Sequence, residues 1–270
     1  MSPNLAAKAI DCHALENILE AINVTKEFRG FVAVNEVSLQ VKRGTIHALI
    51  GPNGAGKSTF FNLLTKFLQP TSGSIIFQGE DVTAESASAL AKRGMVRSFQ
   101  ISATFGHLTL LQNVRVALQQ KLGISLHFWK PVSCLSSLDD RAIELLDSVG
   151  LAGQANTLAT DLSYGRKRAL ELATTLALEP ALLLLDEPTQ GMGHEDVAVV
   201  TDLIKRVAAD RTVLMVEHNM SVISKIADTI SVLQRGQILA EGNYEQVSSN
   251  PVVIEAYMGA ANDVLGGAHG

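Results

Sequence analysis

Two short stretches carry residues whose types and spacing suit phosphate chemistry. "GPNGAGKS", Gly51 to Ser58, fits G-x-x-x-x-G-K-[ST], a pattern met by chance in such a chain on the order of 1 time in 100 at average composition. Gly51, Gly54 and Gly56 let the backbone curl with its N–H groups pointing inward. The helical pattern that follows, "STFFNLLTKF", sets the positive end of a helix dipole behind them, and the two together make an anion-binding nest. Lys57 adds a mobile cation for β- and γ-phosphates, and the Ser58 hydroxyl can ligate Mg²⁺. The second stretch, "ALLLLDEP", is an apolar run ending in Asp186 and Glu187. It offers one carboxylate at a sheet edge for Mg²⁺ and a second beside it to act on an attacking water. A glycine-rich turn that binds nothing, or a strand that happens to end in acids, would explain either stretch alone. The strand, loop, helix context of the first argues for a bound nucleoside triphosphate.

A third stretch, "DLSYGRKRALELATTLALEP", opens a helix at Ser163 and Gly165, with Leu170, Ala173, Leu176 and Ala177 apolar at helical spacing. Its start offers free N–H groups, a hydroxyl and a positive dipole end to a phosphate; by itself Ser163 is also simply a good N-cap. The elements that must position these groups are legible around them. "NEVSLQVKRG" alternates Val37, Leu39 and Val41 against polar residues, as a half-buried strand does, and "TIHALIG" is apolar enough for a central strand covered on both faces. "SGSIIFQGEDV" reads as another strand. From Leu170 onward helices alternate with the apolar strands "ALLLLD", "TVLMVE" and "TISVLQ", followed by "QILAEG", which predicts a parallel sheet flanked by helices.

The middle, about 83–161, changes to helical patterns at Glu85–Arg93, Thr109–Gln120 and Asp139–Val149. In the last of these Ile143, Leu146 and Gly150 recur at helical spacing, and Gly123–Ser137 dissolves into a loop. With 47% hydrophobic and 18% charged residues the chain is that of a folded globular protein. Its best apolar run is broken by Glu171, Glu179, Pro180 and Asp186, so no membrane span is expected. The opening lacks a secretory pattern, and Cys12 and Cys134 have no metal-ligand spacing, which fits reduced thiols in the cytoplasm. A net charge of −5 argues against a nucleic-acid partner.

"LSYG", one helix before "LLLLDEP", resembles the LSGGQ signature of ATP-binding-cassette ATPases. Gln100 in "VRSFQ" looks like that family's Q-loop, His218 in "LMVEHNM" like its switch histidine, and Phe28 in "VTKEFRGFVAV" like the aromatic that stacks on adenine. The resemblance covers about Asn17 to Gly259. "AVNEVSLQVKRG", the tyrosine of "LSYG", "VEHNM" and "NPVVIEAYMG" are further similar to the ATP-binding subunits of branched-chain amino-acid importers. It implies an α/β P-loop (RecA-like) core with an N-terminal antiparallel β subdomain and an inserted α-helical subdomain, occupying 17–259 between an N-terminal extension, 1–16, and a tail, 260–270. It implies ATP and Mg²⁺ as cofactors, with nucleotide contacts from Phe28, Gly51, Pro52, Asn53, Gly54, Ala55, Gly56, Lys57, Ser58, Thr59, Gln100, Ser163 and Gly165. Metal contacts fall to Ser58, Gln100 and Asp186, and catalysis to Glu187 as base and His218 as γ-phosphate contact.

The implied partners are two transmembrane permeases, a second ATP-binding subunit (a different chain, or a second copy) and, indirectly, a periplasmic solute-binding protein. The implied place is the cytoplasmic face of the inner membrane. Urea, other amides, other amino acids and aromatic acids compete as solutes. Two residues depart from the family pattern: Gly193, in "QGMG" after "DEPT", stands where a polar D-loop side chain is common, and Arg166 stands where glutamine often follows the signature. Rival readings fit less of the chain. A chromosome-organising ATPase would need a long coiled coil in the insert, a translation-factor ATPase two cassettes, and a small-molecule kinase would leave "LSYG" and His218 idle.

Overall fold

The computed structural model describes residues 16–98, 104–121 and 137–257. Gln100, both cysteines, most of the Gly123–Ser137 excursion and the tail lie outside them. Among the described residues the strands form two sheets. One has the order β2-β1-β4-β5, from β1 (Asn17–Phe28), β2 (Phe31–Lys42), β4 (Ser72–Phe77) and β5 (Glu80–Asp81). The larger runs β10-β9-β3-β8-β7-β6, from β3 (Ile46–Ile50), β6 (Met95–Ser98), β7 (Leu182–Asp186), β8 (Thr212–Val216), β9 (Thr229–Gln234) and β10 (Gln237–Gly242). It is parallel except where β10 turns back on β9.

The apolar runs of the central strands are explained by burial on both faces. Ile46, Ala48 and Ile50 of β3, Leu183 and Leu185 of β7, and Val213 and Met215 of β8 join one core with the helices of the second half. Leu49, Leu182, Leu184, Leu214 and Val216 point the other way, into a core shared with the antiparallel sheet and with α1 (Lys57–Leu64). Strand β1 escapes a period-2 reading because it is irregular: its pairing with β2 shifts register between Ala21 and Val24 and again before Lys26, and Asn23 sits at φ 48°.

Helix α2 (Ala87–Lys92) leads into β6, which lies inside the 83–161 stretch expected to be a helical subdomain but is a strand of the large sheet. Its buried Met95 and Val96 align with β7 at Leu182 and Leu183, and four residues are too few for their alternation to stand out in a sequence. Beyond it, α3 (Leu110–Lys121) and α4 (Asp139–Ser148) pack against each other and against α5 (Tyr164–Leu176). The inward face of α4 is Ala142, Leu145 and Leu146, followed by Val149. Ile143, expected to share that face with Leu146, is 37% exposed, because it lies about 100° around the helix from Ala142. Helices α6 (His194–Val207), α7 (Met220–Ile226) and α8 (Tyr244–Ser248) complete the second half, and residues 251–257 are helical again.

Candidate functional site

The loop between β3 and α1 is held open by its neighbours. Gly51 (φ 150°), Gly54 (φ 78°) and Gly56 (φ 99°) all take backbone conformations that side chains resist. A Cβ on Gly51 would stand 2.0 Å from the Leu233 carbonyl oxygen, and one on Gly56 2.5 Å from that of Ala33. The loop is therefore seated against β9 on one side and β2 on the other. Gly236, in the β9–β10 turn, ties both together: its N–H donates to Ala55 and its carbonyl accepts from Asn35. The first turn of α1 carries no acid to neutralise the helix dipole, and Ser58 is exposed there. Lys57 is buried, and its ammonium donates to the carbonyls of Gly51 (2.7 Å) and Pro52 (2.9 Å). Burial lowers its pKa below the usual lysine value, and the nearby Glu187 carboxylate opposes that shift.

Asp186 ends β7 and Glu187 follows it at φ 44°, its N–H donating to Val216 at the end of β8. Arg97, on β6, donates to Oδ2 of Asp186 and, through Nη1, to Asn62 Oδ1 (2.6 Å) and Thr65 Oγ1 (3.3 Å) at the end of α1. Its guanidinium also lies 5.1 and 5.4 Å from the ring centroids of Phe61 and Phe67. Arg97 thereby fixes β7, the strand ending in Asp186, relative to α1, the helix opened by Ser58. Among the described residues Oδ1 of Asp186 takes no hydrogen bond, so a hydroxyl and a carboxylate oxygen stand free as hard ligands. No group of three or more His, Cys, Asp or Glu gathers among the described residues. A divalent ion here would share phosphate oxygens and water as ligands, which suits Mg²⁺.

The other expected residues sit on separate surfaces. Ser163 precedes α5 with an exposed side chain that makes no capping bond of its own. Asp196, in the first turn of α6, packs so closely on Gly165 that a Cβ there would stand 2.7 Å from its Oδ1. Among the described residues no hydrogen bond joins Ser163 or Gly165 to the Gly51–Ser58 loop. Phe28 ends β1, 42% exposed, with Lys26 Nζ 5.1 Å above its ring; Phe31, its partner across the hairpin, is 69% exposed and was not expected. His218 is largely exposed, with Nδ1 3.7 Å from Oε1 of Glu217.

Sequence reasoning also passed over Glu217, Arg97 and Tyr257. All three stand inside quoted motifs, Glu217 beside His218, Arg97 before Gln100 and Tyr257 within "NPVVIEAYMG", where residues without a motif role drew no weight. Tyr257 lies in the C-terminal helical turn, where burial raises its pKa and the Gly51 backbone offsets that in part, which places this turn against the phosphate loop.

A phosphate-binding loop at a strand-to-helix junction, with an acid pair at the end of a parallel neighbour strand, defines a P-loop nucleoside triphosphatase. Comparison with known proteins narrows the class. Residues 34–190 match the family described as ABC transporter, and residues 237–263 match the one described as branched-chain amino acid ATP-binding cassette transporter. The chain is 38% identical over 251 residues to the high-affinity branched-chain amino acid transport ATP-binding protein BraF of Pseudomonas aeruginosa, covering 90% of this chain and 98% of that one. It is 37% identical, with the same coverage, to LivG of Escherichia coli K12, which bears the same description. The ADP form of MJ1267, an ATP-binding cassette of an ABC transporter, superposes with a TM-score of 0.78 at 27% identity, over 90% of this chain and 99% of that one. The chain belongs to the ABC transporter family. It is an ATP-binding cassette that binds nucleotide and hydrolyses ATP in transport, and its place in a transporter implies membrane permease partners. Among the described residues no helix is long and apolar enough to cross a membrane.

Proposed function

We propose that this chain powers import of branched-chain amino acids, docked on the cytoplasmic face of the cell membrane against two permease subunits fed by a periplasmic binding protein. The observation that carries the reading is the nearly full-length identity to BraF and LivG, supported by the separate match of residues 237–263.

The roles proposed for the residues extend the family resemblance onto this geometry. The N–H groups of Gly51–Gly56 and the start of α1 receive the phosphates. Lys57 leaves the carbonyls of Gly51 and Pro52 for the β- and γ-phosphate oxygens, where it offsets charge that grows in the transition state. Glu187 takes a proton from the attacking water; the water oxygen bonds to the γ-phosphorus, the bond to the β–γ bridging oxygen breaks, and ADP and phosphate result. His218 contacts the γ-phosphate, and Phe28 stacks on adenine. Ser58, Asp186 and Gln100 would hold Mg²⁺, which supplies charge neutralisation across the phosphate oxygens. Ser163 and Gly165 serve the nucleotide of a facing subunit, so ATP closes the pair and hydrolysis releases it.

Permeases would dock at a cleft of about 400 Å³ whose walls include Phe67, Arg97, Phe105 and Val116. Phe67 (52%) and Phe105 (55%) are exposed there, and the Phe105 backbone is fixed by hydrogen bonds on both sides to the buried Asn113 side chain. Uptake by the assembled transporter against a panel of branched-chain, aromatic and amide solutes tests the substrate, and preferential uptake of urea or another amide would replace it. Phe67→Asp should abolish co-sedimentation with permease-containing membranes; undiminished association would move the docking site. The facing subunit is a different ATPase chain, so the purified protein alone should hydrolyse ATP poorly. A stable, fully active homodimer would refute that.

A further inference from the structure

We propose that Glu217 is a positioning residue that clamps the loop carrying Glu187 to the loop carrying His218, so that both meet one γ-phosphate as a unit. The inference rests on the roles proposed above for those two residues. Glu217 follows β8 directly and is completely buried, at 0% exposure. A carboxylate in that position is costly unless its lone pairs are filled. Its donors come from the two functional loops. Oε2 accepts the Thr189 hydroxyl at 2.7 Å, two residues beyond Glu187. Oε1 accepts the backbone N–H groups of His218 (2.9 Å) and Asn219 (3.0 Å). Oε1 also lies 3.7 Å from Nδ1 of His218, on the opposite side of the ring from Nε2.

The carboxylate is not needed to start the helix that follows. Asn219 already caps α7, its side chain accepting from Ser221 N at 3.1 Å. Nor is it needed to close the sheet, because the Glu187 backbone is bonded to Val216 without it. What Glu217 alone adds is the cross-link from Thr189 to the main chain of His218. Both loops leave parallel neighbour strands, β7 and β8, and Glu217 joins them one step beyond the last strand bond, Glu187 N–H to Val216. Glu187, held at φ 44°, cannot find its orientation from a relaxed local backbone, so its loop gains most from a fixed anchor.

The test uses the full-length chain in its assembled transporter, with single-turnover ATP hydrolysis and nucleotide affinity measured separately. Glu217→Ala should slow turnover at least ~10-fold while nucleotide affinity stays within about twofold. Glu217→Gln should recover most of the rate, since its carbonyl oxygen accepts both N–H groups and its amide donates to the Thr189 hydroxyl. Thr189→Val should slow turnover in the same direction, and it carries the test if Glu217→Ala does not fold. Because the clamp acts through both Glu187 and His218, Glu217→Ala should cost clearly less in a His218→Ala background than in the wild type. The proposal is overturned if that background shows the full loss again, if Glu217→Ala and Thr189→Val turn over like the wild type, or if affinity falls in step with turnover. A His218→Ala protein with undiminished turnover would instead remove the γ-phosphate assignment itself, and the clamp with it.

Discussion

Replacing Arg97 by Met should cost stability that a bound nucleotide with its metal then partly restores. The Arg97 and Asp186 side chains are 16% and 10% exposed, and removing one partner from a buried pair costs about 3–5 kcal/mol. Residual solvent access puts this pair at the low end of that range. Loss of the Phe61 and Phe67 ring contacts adds about 0.5–1 kcal/mol each. Against this, Arg97 Nε is buried with no hydrogen-bond partner, so its removal returns about 1–3 kcal/mol. The balance is about 3 kcal/mol, or roughly 6–12 °C in melting temperature for a chain of this size. Thermal and urea unfolding of wild type, Arg97→Met, Asp186→Asn and the double variant would measure it. In the double variant the two losses should not add, because the charge left behind is gone. Addition of MgATP to a Glu187→Gln background should raise the Arg97→Met melting point more than that of the parent, since the metal supplies the countercharge Asp186 lost. Additive losses, or an Arg97→Met protein within 1 kcal/mol of wild type, would refute the reasoning.

Gly51→Ala should abolish nucleotide binding and lower stability severely, because the new Cβ meets the Leu233 backbone at 2.0 Å. Gly54→Ala, with open space around it, should cost only the roughly 1–2 kcal/mol of a left-handed backbone, and comparable losses from the two in urea unfolding would contradict this. His47, buried in β3 against Ser231 Oγ at 2.8 Å, has its pKa lowered by burial to about 4. The unfolded chain therefore binds the proton first, and stability should fall as pH drops from about 6.5 towards 4, by about 3 kcal/mol in all. His47→Gln should flatten that window; an unchanged pH profile would reassign the effect. Lys57→Ala should weaken ATP binding, whereas Glu187→Gln should keep binding and lose turnover, and steady-state hydrolysis that survives Glu187→Gln would end its assignment as base.

The parts of the fold legible in the sequence were those whose physics is local. The apolar runs of β3, β7 and β8 announce burial on both faces, and the glycines at 51, 54 and 56 announce left-handed backbone beside a helix start. Strand β1 was less legible because its bulges break the alternation, and β6 because four residues are too short to show any. Ile143 misled because periodicity fixes spacing but not which stripe of α4 turns inward. At the site, motif residues were legible and their supports were not. Arg97 reaches Asp186 across 89 positions of chain, and Thr189 reaches Glu217 across 28. No local pattern marks such pairings, since each exists only once the parallel strands are side by side.

The same geometry bears on the second ATP-binding subunit proposed above. The fold does not require Gly193 to be glycine: it sits at φ −70° and ψ 162° as the residue before α6, and a Cβ there would meet nothing within 4 Å. Arg166 is exposed in the first turn of α5 beside the exposed Tyr164. Neither departure from the family pattern therefore answers to packing inside this chain. One removes a side chain from the start of α6 and the other adds a cation at the start of α5, and these two helix starts touch through Asp196 and Gly165. A surface that gains charge in one turn and loses bulk in the next is matched most simply by a facing chain of different sequence. Against an identical copy, each Arg166 would approach the triphosphate of the other site without any change on the opposite side to accommodate it. That asymmetry favours pairing with a second, non-identical ATPase. In the pairing proposed above, compensating residues would stand on the partner's phosphate-loop side, opposite Arg166 and Gly193.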